Sequence, residues 1–292
     1  MTPRKAWWKE CSVYQIYPAS FKDSNNDGIG DLEGILSKVD YLHDLGFDCV
    51  WLSPILKSPQ VDMGYDISDY RTIDAQYGSL EHVDQLIKEL HTRDMKLLMD
   101  LVVNHTSVEH DWFKNSRSSK YNEYRDWYFW RPAKYDSTDN CRPPNNWKSA
   151  FEGSAWEWDE KMEEYYLHIF AKEQPDLNWE NPKVRKAVHN IICFWLDRGC
   201  DGFRMDVINY ISKEAGLPDA PVSKPGSEFQ EGSMFYSAGP RLHEYLAELD
   251  AVLKGYNAFS VGEMPCIGDQ REVIKSVGQD RGELNMIFQF GQ

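Results

Sequence analysis

The stretch "KLLMDLVVNH", Lys96 to His105, decides how this chain folds. It is an almost continuous apolar run broken by Asp100 and ended by Asn104 and His105. Runs of this kind suit a strand buried on both faces of a parallel sheet. The text around it alternates. "VYQIYPASF" (13–21) and "FDCVWLSPI" (47–55) read as strands. "DLEGILSKVDYLHDLG" (31–46) places Leu32, Ile35, Leu36, Val39, Leu42 and Leu45 at helical spacing and reads as one helix closed by Gly46. "SLEHVDQLIKELHTRD" (79–94) is a second helix, with Ser79 as its N-cap.

Past His105 the alternation stops. From Thr106 to about Gln174 the chain is rich in Trp, Tyr, Asn, Pro and charge. Its aromatics argue against disorder, and 104–174 reads as an inserted small domain between a first barrel part, 1–103, and a continued one, 175–292. Alternation then resumes. "NPKVRKAVHNIICFWLDRG" (181–199) is a helix with Pro182 at its start. "CDGFRMDVI" (200–208) is a strand, "PRLHEYLAELDAVLKGY" (240–256) a helix and "AFSVGEM" (258–264) a strand. "DQREVIKSVG" (269–278) is a short helix and "LNMIFQF" (284–290) a sixth strand.

Repeated βα units specify a parallel α/β protein. A doubly wound sheet and a (β/α)8 barrel both accommodate them. The strand ends favour the barrel, where chemistry gathers at the C-terminal ends of several strands. Asp100, Asn104 and His105 punctuate the third, Arg204 and Asp206 the fourth, Glu263 the fifth. No glycine-rich phosphate loop follows the first strand, which weighs against a nucleotide fold. The fold class is therefore α/β: an incomplete (β/α)8 TIM-type barrel of about six strands, with a small inserted domain after strand 3.

The bulk numbers narrow the partners. The 292 residues carry a formal charge of −15 and no basic run, which speaks against nucleic acid and anionic membranes. A neutral ligand fits better. The start of the sequence has no apolar signal-peptide core, and no stretch is long and apolar enough to span a membrane. Six cysteines without a C-x-x-C pair suit a reduced, cytoplasmic protein. The sequence assigns no oligomeric state.

Arg204 and Asp206 lie two apart on a strand and share a face. A carboxylate beside a fixed guanidinium keeps a low pKa and stays ionised, as a nucleophile must. A purely structural ion pair is the other reading. Glu263 stands among apolar residues at a strand end, where desolvation raises a carboxyl pKa and suits a general acid; a Glu bonded to backbone is the alternative. One ionised and one protonated carboxyl about 5 Å apart are the parts for glycoside cleavage with retention.

"DLVVNH", "GFRMDVIN" and "VGEMP" resemble signature regions of the α-amylase superfamily of glycoside hydrolases. "VYQIYPASFKDSNNDGIGDLEGI", "MGYDISDY" and "QPDLNWENP" resemble its intracellular α-glucosidase and oligo-1,6-glucosidase branch. The resemblance implies Asp206 as nucleophile, Glu263 as general acid/base and Arg204 as the group holding Asp206. It implies that Asp66 and His105 bind hydroxyls of the terminal glucose, that Tyr65 stacks on its ring, and that Asp100 is structural within the site. The substrate implied is a small oligosaccharide attacked from its end. Val207, where maltose-preferring relatives often carry Thr, leans the expectation to α-1,6 bonds. Sucrose isomerase, transglucosylase, trehalose-phosphate hydrolase and a non-catalytic sugar-binding remnant are the alternatives.

"KDSNNDGIGDLEG" (22–34) begins like an EF-hand loop, with oxygen-bearing side chains at Asp23, Asn25, Asp27 and Asp31 and a Gly at 28. Its twelfth position is Gly34 rather than Glu. The resemblance implies a structural Ca²⁺ held by Asp23, Asn25, Asp27, the Ile29 carbonyl and Asp31; a metal-free turn rich in Asn and Asp is the alternative. The same resemblance implies eight strands, with "FEH" where Gly291-Gln292 stand and a His-Asp pair on a seventh strand. The expectation that follows is a truncated chain, poorly active as written.

Overall fold

A computed structural model describes residues 6–278 and 281–288. Its centre is a six-stranded parallel sheet of β1 (Val13–Ile16), β2 (Cys49–Leu52), β3 (Lys96–Val102), β4 (Gly202–Asp206), β5 (Phe259–Glu263) and β6 (Met286–Phe288), hydrogen-bonded in chain order. Between them run α1 (Leu32–Leu36), α2 (Val39–Asp44), α3 (Leu80–His91), α4 (Pro182–Asp197), α5 (Leu242–Tyr256) and α6 (Gln270–Val277). The last part of the sixth strand read from sequence, and Gly291-Gln292, lie outside the described residues.

The sheet curls. Trp51 on β2 stacks on Phe288 of β6 at 5.7 Å between ring centres, although three strands separate them in the sheet. Alternation along each strand sorts the residues into two cores. Cys49, Leu98, Phe259 and Val261 point inward with Trp51, under a lid of Trp7 and Trp8. Val50, Leu52, Leu97, Met99, Leu101, Phe203 and Met205 join the much larger layer packed against the helices. Burial on both faces is why these strands read as unbroken apolar runs.

The helix starts are set by local chemistry. The Asp31 side chain caps α1 by accepting from the Gly34 N–H at 2.6 Å, and Asn181 caps α4 ahead of Pro182. Ser79 precedes α3 as expected. One expectation fails. Residues 31–46 form two short helices, not one. The Ser37 hydroxyl bonds the Gly34 carbonyl at 2.6 Å and turns the chain before α2 begins.

Between β3 and α4, Trp130–Arg131, Glu164–Leu167 and Trp156–Asp159 form a three-stranded antiparallel sheet. The chain leaves and returns through a narrow neck. Leu177 N–H donates to Asn104 O at 2.8 Å, and Thr106 N–H to Pro175 O at 3.2 Å. The segment also has an unpredicted partner. Trp147, Trp156, Tyr165 and Leu167 share a core with Val207, Tyr210, Leu217 and Tyr236 from the long connection after β4. Trp147, Trp156, Trp179 and Trp195 are all fully buried, so much of the tryptophan here fills cores and faces no ligand.

Candidate active site

The strand pleat brings the chemistry together. In the parallel register Arg204 stands opposite Asp100 on β3 and Val261 on β5. Asp206 is two residues further along β4 and Glu263 ends β5, so all four polar side chains point into the barrel at one end. Arg204 is the hub. One amino nitrogen, Nη1, donates to Asp100 Oδ1 at 2.8 Å and to Asp206 Oδ1 at 2.7 Å. The other, Nη2, donates to Glu263 Oε2. The second Asp100 oxygen accepts from Trp51 Nε1 at 3.1 Å and from the Tyr65 hydroxyl at 3.4 Å. The guanidinium lies 5.3 Å from the Trp51 ring centre and 5.7 Å from that of Tyr65.

This geometry corrects the expected electrostatics. One arginine beside one aspartate predicted a depressed pKa for Asp206. The structure sets three carboxylates on one guanidinium, so the charges do not balance. Burial pushes Asp206 well above the ordinary carboxylate range; Arg204 opposes this, while Asp100 and Glu263 reinforce it. Burial likewise carries Asp100 up to about 6 against the pull of Arg204. The surplus proton belongs to the cluster as a coupled set. Glu263 is also not a carboxyl among apolar neighbours, since it sits on Arg204 and near the Val207 N–H at 3.5 Å.

Val207 follows Asp206 with φ 34° and ψ 42°. A β-branched residue in the left-handed region is an outlier costing on the order of 1–3 kcal/mol. Here the strain turns the chain directly beyond Asp206 and buries Val207 in the core shared with the inserted segment.

His105 and Tyr65 meet next to this cluster. His105 Nε2 lies 3.2 Å from the Tyr65 carbonyl and 3.1 Å from Gln174 Nε2. Burial lowers the His105 pKa and keeps the ring neutral. Asp66 is fully buried and turned toward its own loop. It accepts from Ser58 Oγ at 2.9 Å and from the Val61 and Asp62 N–H groups at 3.0 Å each.

Sequence reasoning missed a second buried cluster. Lys213 Nζ lies 2.9 Å from Asp176 Oδ2, with side-chain exposures of 1% and 0%. It also donates to Asn104 Oδ1 at 3.2 Å and Tyr210 O at 2.8 Å. A lysine in a polar connection carries no signal of burial; Asp176, inside "QPDLNWENP", was the available hint.

The calcium-loop residues form a chain of side-chain-capped turns. Asp23 accepts from the N–H groups of Asn25, Asn26 and Gly28, Asn25 from Asp27, and Asp27 from Ile29. Gly28 takes φ +95°, open to Gly at no steric cost. The Gly28 N–H bond, ahead of the other backbone bonds, holds Asp23 below the usual carboxylate range. Asp31 instead caps α1 and accepts from Ser24. Among the described residues, no three His, Cys, Asp or Glu side chains converge as a metal-holding group.

Comparison with known proteins agrees with this geometry. Residues 15–292 match the family model described as alpha amylase, catalytic domain. The chain is 62% identical over 284 residues to an alpha-glucosidase of Schizosaccharomyces pombe, covering 97% of this chain and 49% of that protein. It is 56% identical over 287 residues to an oligo-1,6-glucosidase of Parageobacillus thermoglucosidasius, covering 98% and 50%. The isomaltulose synthase of Protaminobacter rubrum superposes with a TM-score of 0.90 at 45% identity, over 97% of this chain and 49% of that one. The chain thus spans about half the length of the curated relatives it matches. An inward-facing Asp-Arg-Asp-Glu cluster on curled parallel strands, together with a family match over nearly the whole sequence, places this chain in the α-amylase family.

Proposed function

We propose that this chain belongs to a retaining, exo-acting α-glucosidase of short oligosaccharides. The observation that carries the reading is Arg204 holding Asp206 and Glu263 on neighbouring strand ends. In this reading the cluster's shared proton rests on Glu263 when substrate is bound, so the Asp206 carboxylate, ionised against Arg204, attacks the anomeric carbon while the Glu263 carboxyl gives that proton to the departing glycosidic oxygen. Glu263 then takes a proton from water, which displaces Asp206 and restores both groups. Arg204 keeps its charge throughout and stabilises the departing Asp206 carboxylate. Asp66, His105 and Tyr65 hold the terminal glucose, which requires the Asp66 carboxylate to turn from its own loop.

Val at position 207, where maltose-preferring relatives often carry Thr, carries the lean toward α-1,6 bonds. The test compares turnover of isomaltose and maltose by the full-length protein. Isomaltose is the expected better substrate, and a strong maltose preference contradicts the lean. The likeness to an isomaltulose synthase motivates a second assay, on sucrose, in which glucose and fructose are the expected products. Release of isomeric disaccharides instead favours an isomerase.

In the same reading, a structural Ca²⁺ on the 23–31 loop would draw Asp23, Asn25, Asp27, the Ile29 carbonyl and Asp31 together, away from the turn and cap bonds they make here. The ion would fix the β1–α1 connection and takes no part in the chemical steps. Six cysteines without a disulfide suit a cytoplasmic setting. No helix among the described residues is long and apolar enough to cross a membrane.

A further inference from the structure

The buried Lys213–Asp176 pair lies outside the carboxylate cluster, yet it reaches His105 through one amide. Asn104 stands between them. Its Oδ1 accepts from Lys213 Nζ at 3.2 Å. Its Nδ2 lies 3.2 Å from Asp176 Oδ2 and 3.2 Å from His105 Nδ1. An ammonium can only donate and a carboxylate can only accept. Asp176 is committed as an acceptor, taking the Ile169 N–H on Oδ1 at 3.0 Å. These two charges leave the Asn104 amide one orientation, with oxygen toward Lys213 and nitrogen toward Asp176. The remaining Nδ2 hydrogen then points at His105 Nδ1.

We infer that Lys213 and Asp176 are positioning residues that set the tautomer of His105, through Asn104, to the form with a bare Nδ1 and a proton on Nε2. A donor facing Nδ1 requires a lone pair there. The proton on Nε2 meets the Tyr65 carbonyl at 3.2 Å. The third neighbour, Gln174 Nε2 at 3.1 Å, is an amide donor held by its own bonds to Asp62 Oδ2 at 2.9 Å and from the Ala171 N–H, and it competes for Nε2; the Tyr65 carbonyl, which can only accept, decides for a proton there, because Nδ1 faces the Asn104 donor. Burial keeps the ring neutral, so only one nitrogen carries a proton. The relay runs from the neck to the barrel. Lys213 comes from the connection after β4, Asp176 from the returning arm of the inserted segment and Asn104 from the end of β3. Tyr65, at the far end, reaches Asp100 through its hydroxyl. An Nε2–H beside the Tyr65 ring is a ready donor to a sugar hydroxyl; that consequence rests on the glucosidase reading above, while the tautomer does not.

The test is nitrogen NMR of full-length protein labelled with ¹⁵N-histidine, the His105 signals being assigned as those missing from His105→Gln. The expected pattern is a protonated Nε2 and an unprotonated Nδ1. A proton on Nδ1 in the unaltered protein overturns the inference without any further variant. The second measurement uses Lys213→Met combined with Asp176→Asn, which removes both charges together. With the amide free to turn, the tautomer preference is expected to be lost; an unchanged Nε2–H form in the folded double variant overturns the role of the pair. In the glucosidase assay the same variant is expected to raise KM more than it lowers kcat, roughly tenfold against threefold or less. An altered tautomer with unaltered KM refutes the sugar-binding consequence and leaves the relay standing.

Discussion

Two buried cations organise this molecule, and they are used differently. Arg204 faces three carboxylates. Lys213 faces one, Asp176, with neutral oxygens from Asn104 and Tyr210 completing its shell. The second cluster is balanced, so it fixes geometry: the amide between its charges has one orientation, and the neck between barrel and insert is tied. The first is overcharged, so it holds protons. Burial raises Asp100 to about 6 and, with like charge beside it, lifts Asp206 well above the usual carboxylate range. Imbalance of this kind costs stability and marks chemistry. Strained Val207, one residue past Asp206, fits the same pattern.

Breaking the overcharged cluster should give the largest effect. Asp206→Asn is expected to lower kcat by about 10³-fold or more while raising the melting temperature, because a buried like charge is removed. A variant that loses stability along with activity would show that Asp206 is chiefly a structural partner of Arg204. In the balanced cluster the sign reverses. Lys213→Met alone leaves Asp176 buried and unpaired, and an urea melt should show a loss of about 3–5 kcal/mol. A loss below about 1 kcal/mol would mean that water reaches the pair.

Titration sharpens the contrast. An aspartate whose folded pKa is raised stabilises the fold below its unfolded value and loses that contribution as pH rises through the folded one. For Asp100 the window runs from the ordinary 3.8 to about 6. The melting-temperature gap between Asp206→Asn and the unaltered protein should therefore open between these values and close below them. A gap independent of pH would contradict shared protons in the cluster.

Smaller effects are expected further out. Val207→Thr should shift the ratio of maltose to isomaltose turnover toward maltose by about tenfold, near 1.4 kcal/mol. Equal changes on both sugars would remove Val207 from linkage choice. Chelation by EGTA should lower the melting temperature by about 2–8 °C if the 23–31 loop holds Ca²⁺. An unchanged melt of the full-length protein would leave that loop as a metal-free turn.

The strands and their ends were legible because their physics is local. Period two along 96–105, 200–208 and 258–264 puts Asp100, Arg204, Asp206 and Glu263 on one face, and the structure places them together. What stayed hidden depends on chain segments meeting from afar. No pattern within "GFRMDVIN" reveals that Arg204 must serve three acids, so the low pKa read for Asp206 had the wrong sign. Lys213 looks like any solvated loop lysine until the insert returns Asp176 beside it. A β-branched Val207 gives no hint of a left-handed backbone, since local preference points the other way. The single helix read over 31–46 missed a hydroxyl bond by Ser37 that periodicity cannot register.

The most direct test is to trap the covalent step. The full-length protein is incubated with an activated fluoroglucoside that glycosylates quickly and hydrolyses slowly, then digested and mapped by mass spectrometry. The account predicts one fluoroglucosyl adduct, on the carboxylate of Asp206, which regains activity as the sugar is released. An adduct on Glu263, or no adduct from a turning-over enzyme whose first product is β-glucose, would contradict it.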